Sequence, residues 1–363
     1  MCCGAKWCPM DEIALLKDLV SIHSPTGSEK EAGEFLAGAM KGLGMNAEID
    51  DAGNAVGTCG PVGADVPELL LIGHIDTVPG KIDVKVSGEK LFGRGSVDAK
   101  GPLAAMVCAA SCFAGQDRMR IRVVGAVDEE GDSRGARHIL KTDKPSYAIV
   151  GEPGSWDSVV IGYKGKISLR YSAVREMAHS AGAHSTATDA CVSFVRHLQE
   201  YAGNFRKDSP FESLSVTVRK INTNDEHFST KAETTVDFRT PPGFDADALV
   251  RFAESQRGDG ELDVVENTPP VVVGKNNALV RSFLSAIREN NGKPSFKKKT
   301  GTSDMNLLGE AWSVPMVTYG PGDSALDHTP NEHMDLNEYV KSIAVLKGVI
   351  ARLIGSGPDD RMR

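Results

Sequence analysis

Apolar and polar positions alternate along this chain at two different periods, and the switches between those periods mark its elements. Residues 11–22 repeat apolar side chains at helical spacing just after Pro9, which predicts a first helix. Ser28 and Glu31 stand three apart before another periodic run. That is the spacing of a capping box, so a second helix is expected to open there and to stop at Gly44. Residues 68–73 form a short, unbroken apolar run bounded by turn residues, the pattern of a strand buried on both faces of a sheet. A small-residue apolar helix is expected over 100–115, a strand over 120–127, a helix over 134–141 and a strand over 147–150. Alternation of strand and helix in this order predicts an α/β sandwich.

The texture changes near Lys164. From there the chain reads as strand, helix (188–201), two strands (213–221 and 234–239), helix (245–254) and strand, a small α+β unit with its own core. After Gly274 the α/β texture returns, with a helix over 277–289, an apolar strand around 315–319 and a closing helix over 336–353. The expected organisation is therefore one catalytic domain made of residues 10–163 and 272–363, interrupted by a smaller α+β domain at 164–271. A length of 363 residues fits two cores better than one.

Composition narrows the class further. With 40% hydrophobic and 25% charged residues, neither a disordered nor a fibrous chain is expected. A net charge of −8 argues against nucleic acid as a partner. The basic run Lys297, Lys298 and Lys299 reads as a solvated strand or loop. No apolar run approaches the roughly 18 residues that span a bilayer, and the start lacks the order of a signal peptide, so no membrane partner and a cytoplasmic location are expected. Cys59, Cys108, Cys112 and Cys191, four of the seven cysteines, sit in apolar or small-residue settings that suit reduced, packed thiols. Cys2, Cys3 and Cys8 crowd the first eight residues without a fourth ligand at metal spacing.

Four segments at expected strand ends or loops carry the side chains that divalent metals prefer. They are residues 73–79 with His74 and Asp76, residues 93–101 with Asp98, residues 128–131 with Glu129 and Glu130, and residues 151–153 with Glu152. His328, within residues 327–332, would join them from far down the chain. Singly, each is a weak signal. Together they follow the rule that ligands gather at the carboxyl ends of strands in α/β sheets. Several carboxylates collected there without a cation would suffer a large like-charge and desolvation penalty, which bound metal removes.

With these motifs in place, the sequence resembles the co-catalytic zinc hydrolases that include the aminoacylases, acetylornithine deacetylases, succinyl-diaminopimelate desuccinylases and carboxypeptidase G. The resemblance runs over nearly the whole chain after Met10, and it is nearest to the branch releasing lysine or ornithine from an amino-carrier protein. Residues 73–80, 98–103, 151–153 and 161–165 carry the most similar phrases. The resemblance implies a zinc-peptidase-like α/β domain with a central mixed sheet, and an inserted dimerisation or lid domain. It also implies two divalent ions, zinc or alternatively cobalt, bridged by Asp98. Glu130 and His328 would complete one metal site, His74 and Glu152 the other. Glu129 would be the general base, and Asp76 the carboxylate orienting His74. Arg239 would clamp the substrate carboxylate, and His179, with His184 close by, would reach the active site of the other subunit in a homodimer. A cis peptide is implied between Asp98 and Ala99, and residues 301–304 match a segment lining the family's pocket. The implied substrates are an amino-acid derivative or an acidic amino-carrier protein bearing lysine or ornithine. Broader N-acyl-amino-acid deacylases, desuccinylases and dipeptidases share the same pattern, and a binding protein that kept the fold without catalysis is the rival of another class.

Overall fold

The computed structural model describes residues 11–61, 66–142, 144–177 and 184–355. Cys2, Cys3, Cys8 and His179 lie outside the described residues. The chain divides into two compact units. The first comprises the described residues up to Ile161, Val273–Lys297 and those from Ser303 onward, and the second Gly162–Val272 with Lys298–Thr302. Assignment of 298–302 to the second unit differs from the boundary expected at 271.

In the first unit the sheet runs in the order Asn46–Ile49, Ala55–Cys59, Arg120–Ala126, Glu68–His74, Tyr147–Gly151, Met316–Thr318, Ser158–Tyr163. Its centre is parallel and its flanks are antiparallel, so the sheet is mixed. Glu68–His74 is buried along almost its whole length, as its unbroken apolar sequence requires. The central register places Gly73 opposite both Gly125 and Gly151. Three parallel strands thus finish level with one another, and the loops that follow start from a common line.

Those glycines also set how closely the covering helix approaches. A Cβ at Gly73 or Gly125 would meet Leu103 at 3.3 Å, and one at Gly151 would meet Met106 at 3.0 Å. Their absence lets the fully buried helix Lys100–Ser111 lie low over the strand ends. This helix is buried on every side, and largely apolar, because Glu12–Ser21 and Leu336–Gly355 also join the core that surrounds it. Each fully buried Leu there stabilises the unit by about 1.5–3 kcal/mol relative to exposure.

The second unit is a four-stranded antiparallel sheet in the order Ser215–Glu226, Ser229–Thr240, Gly165–Glu176, Glu261–Thr268. Buried residues alternate along Ser229–Thr240, the mark of a sheet covered on one face. Helices Ala187–Gly203 and Ala246–Gln256 supply its core with Phe194, Leu198 and Leu249, and Tyr171 stacks on Phe194 at 4.3 Å.

Several local expectations shift. The second helix starts at Lys30, and no side chain caps it. Residues 25–28 instead form a turn pinned to Thr77, with the Thr26 amide donating to the Thr77 carbonyl at 3.2 Å, and the Gly27 amide donates to Glu29. Tertiary pairing outcompetes the box. The helix from Lys100 ends at Ser111, four residues short of expectation. Cys112 consequently sits at a helix end and is exposed, unlike the buried Cys59, Cys108 and Cys191, and none of the four forms a disulfide. A three-stranded sheet of Lys85–Ser87, Lys90–Phe92 and His333–Asp335 was not anticipated, nor was the helix Asp304–Ala311. Among the described residues, no helix is long and apolar enough to cross a membrane.

Candidate active site

His74 is the last residue of its strand, and the next amide, of Ile75, still donates to the Ala126 carbonyl at 2.8 Å. The chain then leaves the sheet with the imidazole fully buried. Its Nδ1 lies 3.0 Å from the backbone carbonyl of Asp76, an oxygen that can only accept, so Nδ1 carries the proton. Nε2 then faces Asp98 Oδ1 at 3.2 Å, with Glu129 and Glu152 oxygens both at 3.9 Å. A bare lone pair directed at three carboxylates is repulsive, so this position calls for a proton or a metal cation. Burial alone would lower the basicity of His74, but the carboxylates of Asp76 and Asp98, with Glu129 and Glu152 nearby, hold it well above the usual histidine range.

Asp98 follows the loop after Phe92 and joins Ala99 through a cis peptide, as the resemblance implied. Its two oxygens look in different directions. Oδ1 faces His74, and Oδ2 faces His328 Nε2 at 3.0 Å. Although burial works against its ionisation, His328 and His74 keep this carboxyl below the usual carboxylate range. His328 Nε2 also lies 2.8 Å from Glu130 Oε1, and its bonds to Asp98 and Glu130 raise the imidazole to about 10 despite partial burial. His328 takes a left-handed backbone, φ 60°, at a sharp turn held by Thr329, whose amide and hydroxyl both donate to the Leu326 carbonyl.

Glu129 and Glu130 lie in the turn after Arg120–Ala126, entered through a left-handed Asp128. The buried Asp76 carboxylate braces this turn from beneath. Its Oδ1 accepts from the Glu129 amide, and its Oδ2 from the Glu130 amide and the Thr26 hydroxyl. Toward His74 the carboxylate is the more distant partner, at 3.5 Å against 3.0 Å for the Asp76 carbonyl. Burial pushes the Glu129 carboxyl well above its ordinary value, and Glu152, Asp304 and Glu130 add to this while His74 opposes it. Such a group holds a proton more readily than an exposed glutamate, which suits an acid–base role.

Among the described residues, three overlapping groups bring ligand atoms within 4.8 Å of one another: His74, Glu129 and Glu130; His74, Asp98 and Glu152; Asp98, Glu130 and His328. Asp98 belongs to two of them. Imidazole and carboxylate donors in this number suit zinc, cobalt or manganese, so the residues fit a pair of divalent ions.

Seven of the nine residues singled out in the sequence therefore converge within the first unit. Arg239 lies in the second, on Ser229–Thr240, where its Nη1 donates to Thr302 Oγ1 at 2.9 Å. His179 is outside the described residues, and His184 is exposed. Thr26, Arg94 and Glu332 reach the site's framework without having been singled out. Arg94 and Glu332 stood within quoted motifs, and their burial would have been the clue. Asp304 is buried at the start of its helix, and burial, with Asp76 adding to it, pushes its carboxyl up to about 6.

Residues 70–352 match the model of peptidase family M20/M25/M40. A Deinococcus radiodurans protein named LysW-lysine hydrolase is 38% identical over 355 residues, covering 94% of this chain and 96% of that one. A Saccharolobus solfataricus protein named LysW-lysine/LysW-ornithine hydrolase is 33% identical over 327 residues, covering 89% and 90%. The crystal structure of an M20 metallo-carboxypeptidase, Sso-CP2 of Sulfolobus solfataricus, shares the fold at a TM-score of 0.78 and 17% identity, over 95% of this chain and 99% of that one. With the ligand cluster at the strand ends and the match covering most of its length, the chain belongs to peptidase family M20/M25/M40 and is a metal-dependent hydrolase.

Proposed function

We propose that this hydrolase releases free lysine, ornithine or both from an amide link to an amino-carrier protein, in lysine or arginine biosynthesis. The observation that supports this most is near full-length similarity to relatives named for that reaction, joined to the intact ligand cluster. A broader deacylase acting on N-acyl amino acids is the second reading, because the same cluster would serve any amide carbonyl.

In this reading His74 and Glu152 would hold one ion, Glu130 and His328 the other, and Asp98 would serve both. The ions, zinc or cobalt, would acidify water and polarise the scissile carbonyl when bound. Glu129 takes the proton from the attacking water, a task for which its raised basicity fits it, and then delivers that proton to the leaving amine. Asp76 keeps Glu129 and Glu130 at the correct height through their amides, while its carbonyl fixes the His74 tautomer. Arg239 would bind the carboxylate of the released amino acid, for which a forked guanidinium is suited. His179, from the second subunit of a homodimer in the cytoplasm, would donate to the developing oxyanion.

The deciding experiment measures free lysine and ornithine released from carrier-linked and from N-acetylated substrates, with added zinc and with added cobalt. Turnover of the carrier-linked form at least tenfold above the acetylated form supports the reading, and the reverse preference overturns it. Mixing inactive His179→Ala and Glu129→Gln chains under subunit exchange should restore part of the activity. No restoration despite proven exchange removes His179 from the mechanism.

A further inference from the structure

Glu332 is fully buried, and Arg94 is 9% exposed. Their ion pair, Arg94 Nη1 to Glu332 Oε2, is 2.7 Å long and shielded from solvent. Taking two charges out of water is costly, and an apolar pair of similar size would often be at least as stable. What the pair does with its remaining bonds is therefore informative.

Glu332 Oε1 accepts from two consecutive backbone amides, Val97 at 2.9 Å and Asp98 at 3.1 Å. The Glu332 carbonyl accepts from the Gly93 amide at 3.3 Å. Arg94 Nε donates to the Gly80 carbonyl at 3.0 Å. One ion pair thus joins three segments: the loop leaving His74, the loop carrying Asp98, and the turn carrying His328 four residues before Glu332. The adjacent pairing of His333–Asp335 with Lys90–Phe92 already fixes the register of the small sheet. The bonds to Val97 and Asp98 lie beyond that pairing and reach the segment where a carboxylate must face two histidines at once.

We propose that the buried Arg94–Glu332 pair is a positioning element for the metal centre, setting the Asp98 main chain relative to His328 so that one carboxylate serves both ion positions. This rests on the assignment of Asp98 and His328 as ligands. Outer partners that orient ligands typically change metal affinity ten- to a hundredfold when removed. Lys100 interacts electrostatically with Glu332 and donates to the Leu19 and Ile22 carbonyls at 3.2 and 2.6 Å. It would leave a positive charge next to Glu332 when Arg94 is removed, so Arg94→Met leaves Glu332 partly compensated.

The test separates positioning from packing by two measurements on the full-length protein: thermal unfolding in chelator, and zinc affinity by competition with a chromophoric chelator. Glu332→Gln should lower both. Arg94→Met combined with Glu332→Gln leaves neither member of the pair charged, and Lys100 keeps its bonds to the Leu19 and Ile22 carbonyls, so metal-free stability should return toward wild type. Zinc affinity should stay about tenfold weaker, because a neutral amide oxygen accepts from Val97 and Asp98 only about half as strongly as a carboxylate does. Should the double variant recover zinc affinity together with stability, the pair is structural only and the proposal fails. Should the double variant not fold, Arg94→Lys decides: it keeps the charge and forfeits the fork, so zinc affinity must fall by at least fivefold at unchanged metal-free stability. His328→Ala and Asp98→Asn are measured in parallel. If either binds both ions as wild type does, the ligand assignment is wrong, and the proposal is overturned for that separate reason.

Discussion

Replacing Asp76 with asparagine asks what the carboxylate beneath the site holds in place. Its oxygens accept from the Glu129 amide at 3.1 Å, the Glu130 amide at 3.1 Å and the Thr26 hydroxyl at 2.9 Å. The His74 imidazole donates from Nδ1 to the Asp76 carbonyl, which asparagine retains. In the variant one carboxylate oxygen becomes an NH2, and that donor must face at least one of the two turn amides. Hydrogen bonds to a charged buried acceptor contribute about 1.5–3 kcal/mol, and a buried donor without an acceptor costs about 1–3 kcal/mol. Losing one such bond and opposing one donor gives about 3 kcal/mol, confined to the turn. With 1.4 kcal/mol per factor of ten, amide exchange across residues 127–133 should quicken by roughly a hundredfold. Because that turn carries Glu129, kcat/KM should fall about a hundredfold as well, the usual cost of misplacing a reacting group by about 1 Å. Metal content should hold at saturating zinc, because His74, Asp98, Glu152 and His328 keep their places and only Glu130 shares the loosened turn. Hydrogen exchange followed by mass spectrometry, elemental analysis and steady-state kinetics read the three effects, and Thr26→Ala, losing a single bond, should quicken exchange only about tenfold. Unchanged exchange in the turn together with metal loss would refute the reasoning, since the carboxylate would then be acting on the imidazole.

Glu129→Gln should keep both ions yet lose several orders of magnitude in turnover, whereas Glu130→Gln should lose metal first; equal metal loss by elemental analysis would reverse the roles. Asp304 rises from 3.8 to about 6 in the fold, so in metal-free protein the carboxyl is harmless below pH 4 and destabilising once ionised above pH 6. Asp304→Asn should therefore leave stability in chelator unchanged at pH 4 and raise it at pH 8, by at most about 3 kcal/mol in urea unfolding. At Gly101 a Cβ would press into the Ser96 carbonyl and the Met334 methyl, so Gly101→Ala should cost about 1–3 kcal/mol and weaken zinc binding through the displaced Asp98 loop, as calorimetry would read.

Much of the site was legible because its chemistry is written locally. His74 and Asp76, or Glu129 and Glu130, sit two or one residues apart at the end of an apolar run, and the run itself announces a buried strand. What local pattern cannot carry is pairing over distance. Lys85–Ser87 is exposed throughout and only three residues long, so it shows no alternation, and its neighbour Lys90–Phe92 finds its other partner in His333–Asp335, over 240 positions later. For the same reason Glu332 read as part of a motif and not as the anchor of Asp98. The division of labour at Asp76, carbonyl to His74 and carboxylate to the turn, depends on a side-chain direction that spacing leaves open.

The strand order also bears on how the protein comes off the ribosome. Every carboxylate of the cluster, together with His74, has been synthesised by Glu152, whereas His328 arrives some 175 residues later, a lag of about 10–35 s at ordinary elongation rates. Met316–Thr318, which lies between Tyr147–Gly151 and Ser158–Tyr163 in the sheet, arrives in the same late stretch. Until then the nascent sheet carries a gap beside Tyr147–Gly151 and an unbalanced group of acids at its tip, an open edge exposed to wrong pairing. Late entry of this strand and of His328 places both in one stretch of synthesis, so the second ligand group, Asp98, Glu130 and His328, is completed only when the sheet can be.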